Sequence, residues 1–142
     1  MNDTLNLVLT DDDPKIQHYF DIIVKMAEVD VNVHICNNGQ ELLNYLNDTE
    51  KLPDYVFLDI YMPVMDGLSA LKKIRQIERL KDIQFILFTN TSNISEMVKI
   101  IDTNVKFITK DYGADRFVKF IQSLSEHAHF TKMLHTKNTG KT

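Results

Sequence analysis

The chain has little that would place it outside the cell, in a membrane or along a nucleic acid. It has one cysteine, Cys36, so no internal disulfide can form, and its position at the end of an apolar run reads as core filling, not as a nucleophile. Lys and Arg number 16 against 20 Asp and Glu, a formal net charge of −4, and no basic stripe is present to follow a polyanion. Apolar residues make up 44% of the sequence, yet no run approaches the roughly 18 residues of a membrane span. The N-terminus, MNDTLNLVLTDDDP, lacks the basic flank of a secretory signal, and without secretion the N-x-[ST] matches at Asn2, Asn47, Asn90 and Asn93 carry no weight. The expectation is a cytoplasmic protein that binds neither membrane nor nucleic acid. There is no internal repeat and no interdomain linker, and 142 residues suit one domain with a proper core.

What the sequence does have is an alternation of short strand-like runs with helical periodicity, five times over. LNLVLT (5–10) is the first run. DDDP then supplies a helix start, with Asp13 as cap and Pro14 at the first helical position, where its missing N–H costs nothing. Ile16, Phe20, Ile23, Val24 and Ala27 follow at helical spacing. VNVHIC (31–36) alternates as a strand does, and Asn38 with Glu41 has capping-box spacing before Leu42, Leu43 and Leu46. Tyr55 to Asp59 is a third strand, followed after Asp66 by a helix burying Leu68, Leu71, Ile74 and Ile77. QFILFT (84–89) and VKFIT (105–109) are the fourth and fifth. A shorter helix carries Ile94, Met97, Val98 and Ile101, and a last one carries Phe117, Phe120, Ile121 and Leu124. Continuous apolar strands separated by helices imply an α/β fold with a parallel sheet covered on both faces. Right-handed crossovers leave a flavodoxin-like, doubly wound sheet of five strands in the order 2-1-3-4-5. Residues 1–126 form this domain, and 127–142 read as a helix extension or a tail.

In such a sheet ligands bind beyond the carboxyl ends of the strands. Those ends deliver Asp11, Asp12 and Asp13, then Asp59, then Thr89 and Asn90, then Lys110. Converging carboxylates raise one another's pKa unless cations offset them. Lys110 offsets one charge, and a hard ion such as Mg²⁺ suits a partly hydrated acidic site near phosphate. With a phosphoryl group added, Asp59 is the candidate nucleophile, with Thr89 and Lys110 placed to stabilise the transferring oxygens.

Quoted as VLTDDDP, VFLDIYMPVMDG, FILFTN and FITK, these segments resemble the receiver domain of two-component response regulators over roughly residues 5 to 126. The resemblance implies that Asp59 accepts phosphate from a histidine kinase or a histidine phosphotransfer protein. It further implies Asp12 as direct metal ligand, Asp11 assisting, and the backbone carbonyl of Tyr61 completing the set with Asp59. Thr89 and Lys110 would bind the phosphoryl group, and Phe107 matches the aromatic switch position. Asp13 lies outside the matched acidic pair and is assigned to the cap. Two departures stand out. Asp111 follows the lysine where the family usually has a proline in a cis bond, so the bond is either a strained cis or rebuilt in trans. Asn90 stands where a very small residue is usual.

No output domain is expected after the fifth helix, so the response regulator would signal through protein contacts on the face built from strand 4, helix 4, strand 5 and helix 5. Its expected partners are a kinase, a phosphotransfer protein, a downstream target, or a second copy on the same face. The Asn90 and Asp111 departures motivate the alternative of a pseudo-receiver that binds constitutively. A phosphatase would place a second acid two residues after the nucleophile, where this chain has Tyr61; a flavin-binding protein would need a phosphate cradle in place of DDD. The terminal GKT lacks the upstream glycine of a phosphate-binding loop. His18 and His34 read as structural or surface groups, and His127, His129 and His135 as a solvated stretch more than a metal cluster.

Overall fold

A computed structural model describes residues 4–90 and 105–139. The strands are β1 (Leu5–Thr10), β2 (Val31–Cys36), β3 (Tyr55–Leu58), β4 (Phe85–Thr89) and β5 (Val105–Thr109). The helices are α1 (Pro14–Met26), α2 (Gly39–Asp48), α3 (Gly67–Arg75) and α4 (Ala114–Thr139). All strand pairs are parallel, in the order β2-β1-β3-β4-β5. This is the doubly wound arrangement expected from the apolar runs. The expected helix over Ile94–Ile101 lies outside the described residues.

The continuous apolar runs are explained by burial on both faces of the sheet. Side chains alternate along a strand, so Leu7, Leu9, Phe57, Ile86 and Phe88 pack on the α1 and α4 side. Their neighbours Val8, Val56, Leu58, Phe85 and Leu87 pack on the α2 and α3 side. The first layer centres on four phenylalanines: Phe20 lies 4.9 Å edge-on to Phe57, and Phe117 lies 5.3 Å from Phe88 and 5.8 Å from Phe20. Such pairs add about 0.5–1.5 kcal/mol each beyond area burial, and here they anchor β3 two residues before Asp59.

The helix starts follow the capping chemistry of the sequence. The Asp13 carboxylate accepts from Lys15 N, with Pro14 in the first turn; Asn38 Oδ1 accepts from Glu41 N at 2.8 Å. Glu41 completes its half of the box one residue early, since its carboxylate accepts from the backbone N–H of Asn37 at 3.2 Å. Asp66 caps α3 by accepting from Ser69 N at 2.8 Å.

Three boundaries differ from the sequence reading. β3 ends at Leu58, leaving Asp59 just past the strand, and β4 begins at Phe85. The last helix passes residue 126 without a break and runs to Thr139. Ala128 is still buried in the core there, and Lys132 Nζ reaches Thr4 O at 3.3 Å and Asp54 Oδ2 at 3.5 Å.

Candidate functional site

Asp11, Asp12, Asp13, Asp59, Tyr61, Thr89, Asn90 and Lys110 line one open cleft of about 500 Å³ at the carboxyl ends of the strands. Every residue expected at the site, apart from Phe107, therefore meets in one place. Asp11 and Asp59 are fully and nearly fully buried, Thr89 is buried, and Asp12 and Tyr61 are exposed at the mouth.

Each side chain is fixed by local backbone. Asp11 Oδ1 accepts from Asp13 N at 2.9 Å, which bends the loop and leaves Asp13 to cap α1. Asp59 N–H donates to Thr10 O at 2.9 Å, tying the acid to the end of β1, and Asp59 Oδ1 accepts from Ile60 N at 2.8 Å. Asp59 Oδ2 remains directed at Lys110, whose Nζ lies 3.4 Å away. The same ammonium is 2.8 Å from Asp11 Oδ2, an ion pair that lacks aligned hydrogen-bond geometry. Lys110 is positioned by its own N–H, which donates to Thr89 O at 3.0 Å. No cis peptide bond occurs among the described residues, so Lys110 and Asp111 are joined in trans and the turn is rebuilt without the family's proline.

The electrostatics follow from this crowding. Burial, then the neighbouring Asp11 charge, push the Asp59 carboxyl above its ordinary pKa, against the opposing pull of Lys110. Burial works to lower the Lys110 pKa, but Asp11 and Asp59 outweigh it and hold the ammonium above its ordinary value. The lysine is therefore a permanent cation at neutral pH, shared between two acids.

Asp11, Asp12 and Asp59 each offer a carboxylate oxygen, and these oxygens lie within 4.8 Å of one another. Among the described residues this is the group of His, Cys, Asp or Glu with metal-holding geometry. Three hard carboxylate oxygen donors fit a small hard divalent cation. His127 and His129 form no such group. Cys36 is buried, and burial together with Glu41 pushes its thiol to about 12, which suits core filling.

Sequence reasoning missed what holds the turn after Asp59 against the sheet. A Cβ on Gly67 would lie 2.2 Å from Asp59 O, so only glycine lets α3 begin directly against the acid; its N–H donates to Ile60 O at 2.8 Å. Gly39 approaches the same turn from α2, with its N–H on Met65 O at 3.0 Å and its missing Cβ 2.6 Å from that oxygen. Between them Val64 holds a φ of 69°, a conformation a β-branched residue rarely adopts, while Met65 N bonds Pro63 O at 2.8 Å across it. A glycine just after an N-cap, where better helix formers are usual, was the available signal. Phe107 lies apart from the cleft lining, half-buried against the α2 and α3 side of the core.

The fold and this cleft define a receiver, and comparison with known proteins agrees. The family model described as the response regulator receiver domain matches residues 7–122, and the chain belongs to that family. The chemotaxis protein CheY of Bacillus subtilis (strain 168) is 35% identical over 102 residues, covering 71% of this chain and 80% of CheY. The bacteriophytochrome response regulator RtBRR superposes with a TM-score of 0.75 at 23% identity, over 85% of this chain and 78% of its own. The Mn²⁺-bound form of response regulator Rcp1 does so at 0.69 and 20% identity, over 84% and 91%. At those identities the two structures establish the fold. The chain spans 48%, 10% and 47% of the length of three other curated relatives. Receiver domains are signalling modules regulated by phosphorylation, and no described helix is long and apolar enough to cross a membrane.

Proposed function

We propose that Asp59 is the phosphoryl acceptor of this receiver and takes its phosphoryl group from a phosphohistidine on a kinase or phosphotransfer protein. The observation that carries this is a buried carboxylate at the floor of an open cleft, with one oxygen held by Ile60 N and the other facing the Lys110 ammonium. In the transfer an Asp59 oxygen forms a bond to phosphorus while the donor's P–N bond breaks. The electron pair leaves with the imidazole nitrogen, which takes a proton from solvent. Lys110 balances charge on the phosphoryl oxygens, and the Thr89 hydroxyl donates to one of them. Asp11, Asp12, Asp59 and the carbonyl of Tyr61 are the groups that would hold Mg²⁺, which when bound supplies further charge neutralisation at those oxygens. Movement of Thr89 toward phosphate would free space for the Phe107 ring and change the face formed by β4, β5 and α4, where a downstream protein would dock. Asn90, exposed at the rim of the cleft, narrows access for the donor and for hydrolytic water.

The test is incubation with Mg²⁺ and a small phosphodonor, read by intact-protein mass spectrometry. The expected result is a single phosphoryl adduct on wild type and none on Asp59→Asn. An adduct of equal yield on Asp59→Asn, or none on wild type, removes the assignment.

A further inference from the structure

We infer that the free edge of β2 is a self-association surface, on which a second copy of this chain adds its own β2 antiparallel to form one continuous sheet. β2 is an outer strand of the sheet and is six residues long, VNVHIC. Edge strands are commonly protected by lysine, proline or a bulge. β2 carries no lysine, arginine, acid or proline, and it pairs with β1 through six consecutive residues without a bulge. The opposite edge strand, β5, carries the exposed Lys106.

The direction of the peptide groups fixes how a second strand would join. Leu5 N–H donates to Asp30 O and Asp11 N–H to Cys36 O, so the even-numbered carbonyls of this segment face β1. Peptide groups alternate along a strand, which turns the N–H and C=O of Val31, Val33 and Ile35 outward. An antiparallel partner centred on Val33 places Val33 opposite its own copy and Val31 opposite Ile35. These are the residues with free outward groups, so the register yields about six interchain hydrogen bonds with no unmatched group between them. The remaining pair is Asn32 opposite His34, both exposed.

The faces of the strand match as well. Val31, Val33 and Ile35 lie half-buried on the α1 side, where Gln17, Phe20 and Asp21 complete a groove of about 200 Å³ along the edge. The carboxylate there, Asp21, is already paired with Lys25 at 2.9 Å. On the other face Asn32 and His34 border a second cleft with Tyr45, which stacks on His34 at 3.8 Å, and that lining contains no acid. Self-pairing therefore sets apolar against apolar on one face and polar against polar on the other, where Lys51 is the charged residue in the cleft lining.

Sedimentation velocity of the full chain from micromolar to millimolar concentration tests this. Wild type should rise toward twice the monomer mass as concentration rises. Val33→Pro removes an outward N–H that β1 does not use and should remain monomeric. The double variant Asn32→Lys/His34→Lys, altered at two exposed positions, places lysine against lysine and should also remain monomeric, which keeps the test valid if the proline variant fails to fold. Under mild oxidation Val33→Cys should form a covalent dimer at several-fold higher yield than Asn32→Cys, although Asn32 is the more exposed. Wild type that stays monomeric to millimolar overturns self-pairing and leaves the edge to an extended strand of another protein. A dimer that persists in both the proline and the double-lysine variants, or equal yields for the two cysteine variants, places the interface elsewhere.

Discussion

The two ends of the sheet treat charge in opposite ways. At the amino ends of the strands the charges of Asp30, Asp54 and Lys132 have structural counterparts. Thr4 Oγ1 donates to Asp30 at 2.6 Å, Asn6 N–H donates to Asp54 at 2.8 Å, and Lys132 bridges Thr4 O and Asp54 to hold the last helix. At the carboxyl ends two buried acids share one lysine, and burial with Asp11 raises the pKa of Asp59. The first arrangement stabilises the fold. The second is held in place by the fold, and the raised pKa of Asp59 is the arrangement expected if Asp59 is the proposed phosphoryl acceptor.

That contrast can be broken most severely at Lys110. Lys110→Met leaves Asp11 and Asp59 buried without their cation, and removing one partner of a buried ion pair typically costs about 3–5 kcal/mol. Urea denaturation at neutral pH in the absence of divalent metal should show a loss of that order, and a loss no larger than for an exposed lysine such as Lys25 would show that the acids do not depend on it. A smaller effect is expected at Gly67→Ala. The added Cβ would meet Asp59 O and must push α3 or the acid aside, which for overpacking costs about 1–3 kcal/mol. Because the displaced group is Asp59 itself, phosphoryl incorporation should slow along with the loss of stability. Unchanged incorporation in a destabilised protein would mean that the close approach serves packing alone.

Most of the site was legible because its residues sit where apolar runs end. Leu9-Thr10, Phe57-Leu58 and Phe88-Thr89 are followed at once by polar groups, and parallel strands bring those groups together at one end of the sheet. The caps Asp13, Asn38 and Asp66 were legible for the same reason, since capping is a contact between neighbours in sequence. What escaped the sequence depends on contacts between distant segments. Gly39 is needed because α2 meets the turn at Met65, and Gly67 because α3 starts on the Asp59 carbonyl. Neither follows from periodicity. The trans link at Lys110-Asp111 was one of two open choices in the sequence, and the last helix, with Ala128 buried and Lys132 on Thr4 O, depends on contacts with the distant N-terminal strand.

The contrast between the two ends is tested most directly by neutralising one acid at each and measuring folding stability side by side, at neutral pH and without divalent metal. Asp59→Asn removes a carboxyl whose pKa burial and Asp11 raise, relieves the repulsion with Asp11 and leaves Lys110 to pair with Asp11 alone, so a gain in stability at neutral pH is expected. Asp54→Asn weakens the acceptor of Asn6 N–H and a half-exposed contact with Lys132, and should lose about 0.5–1 kcal/mol. Opposite signs are the predicted result. Destabilisation by both substitutions to a similar degree would contradict the account, because Asp59 would then be one more stabilising acid.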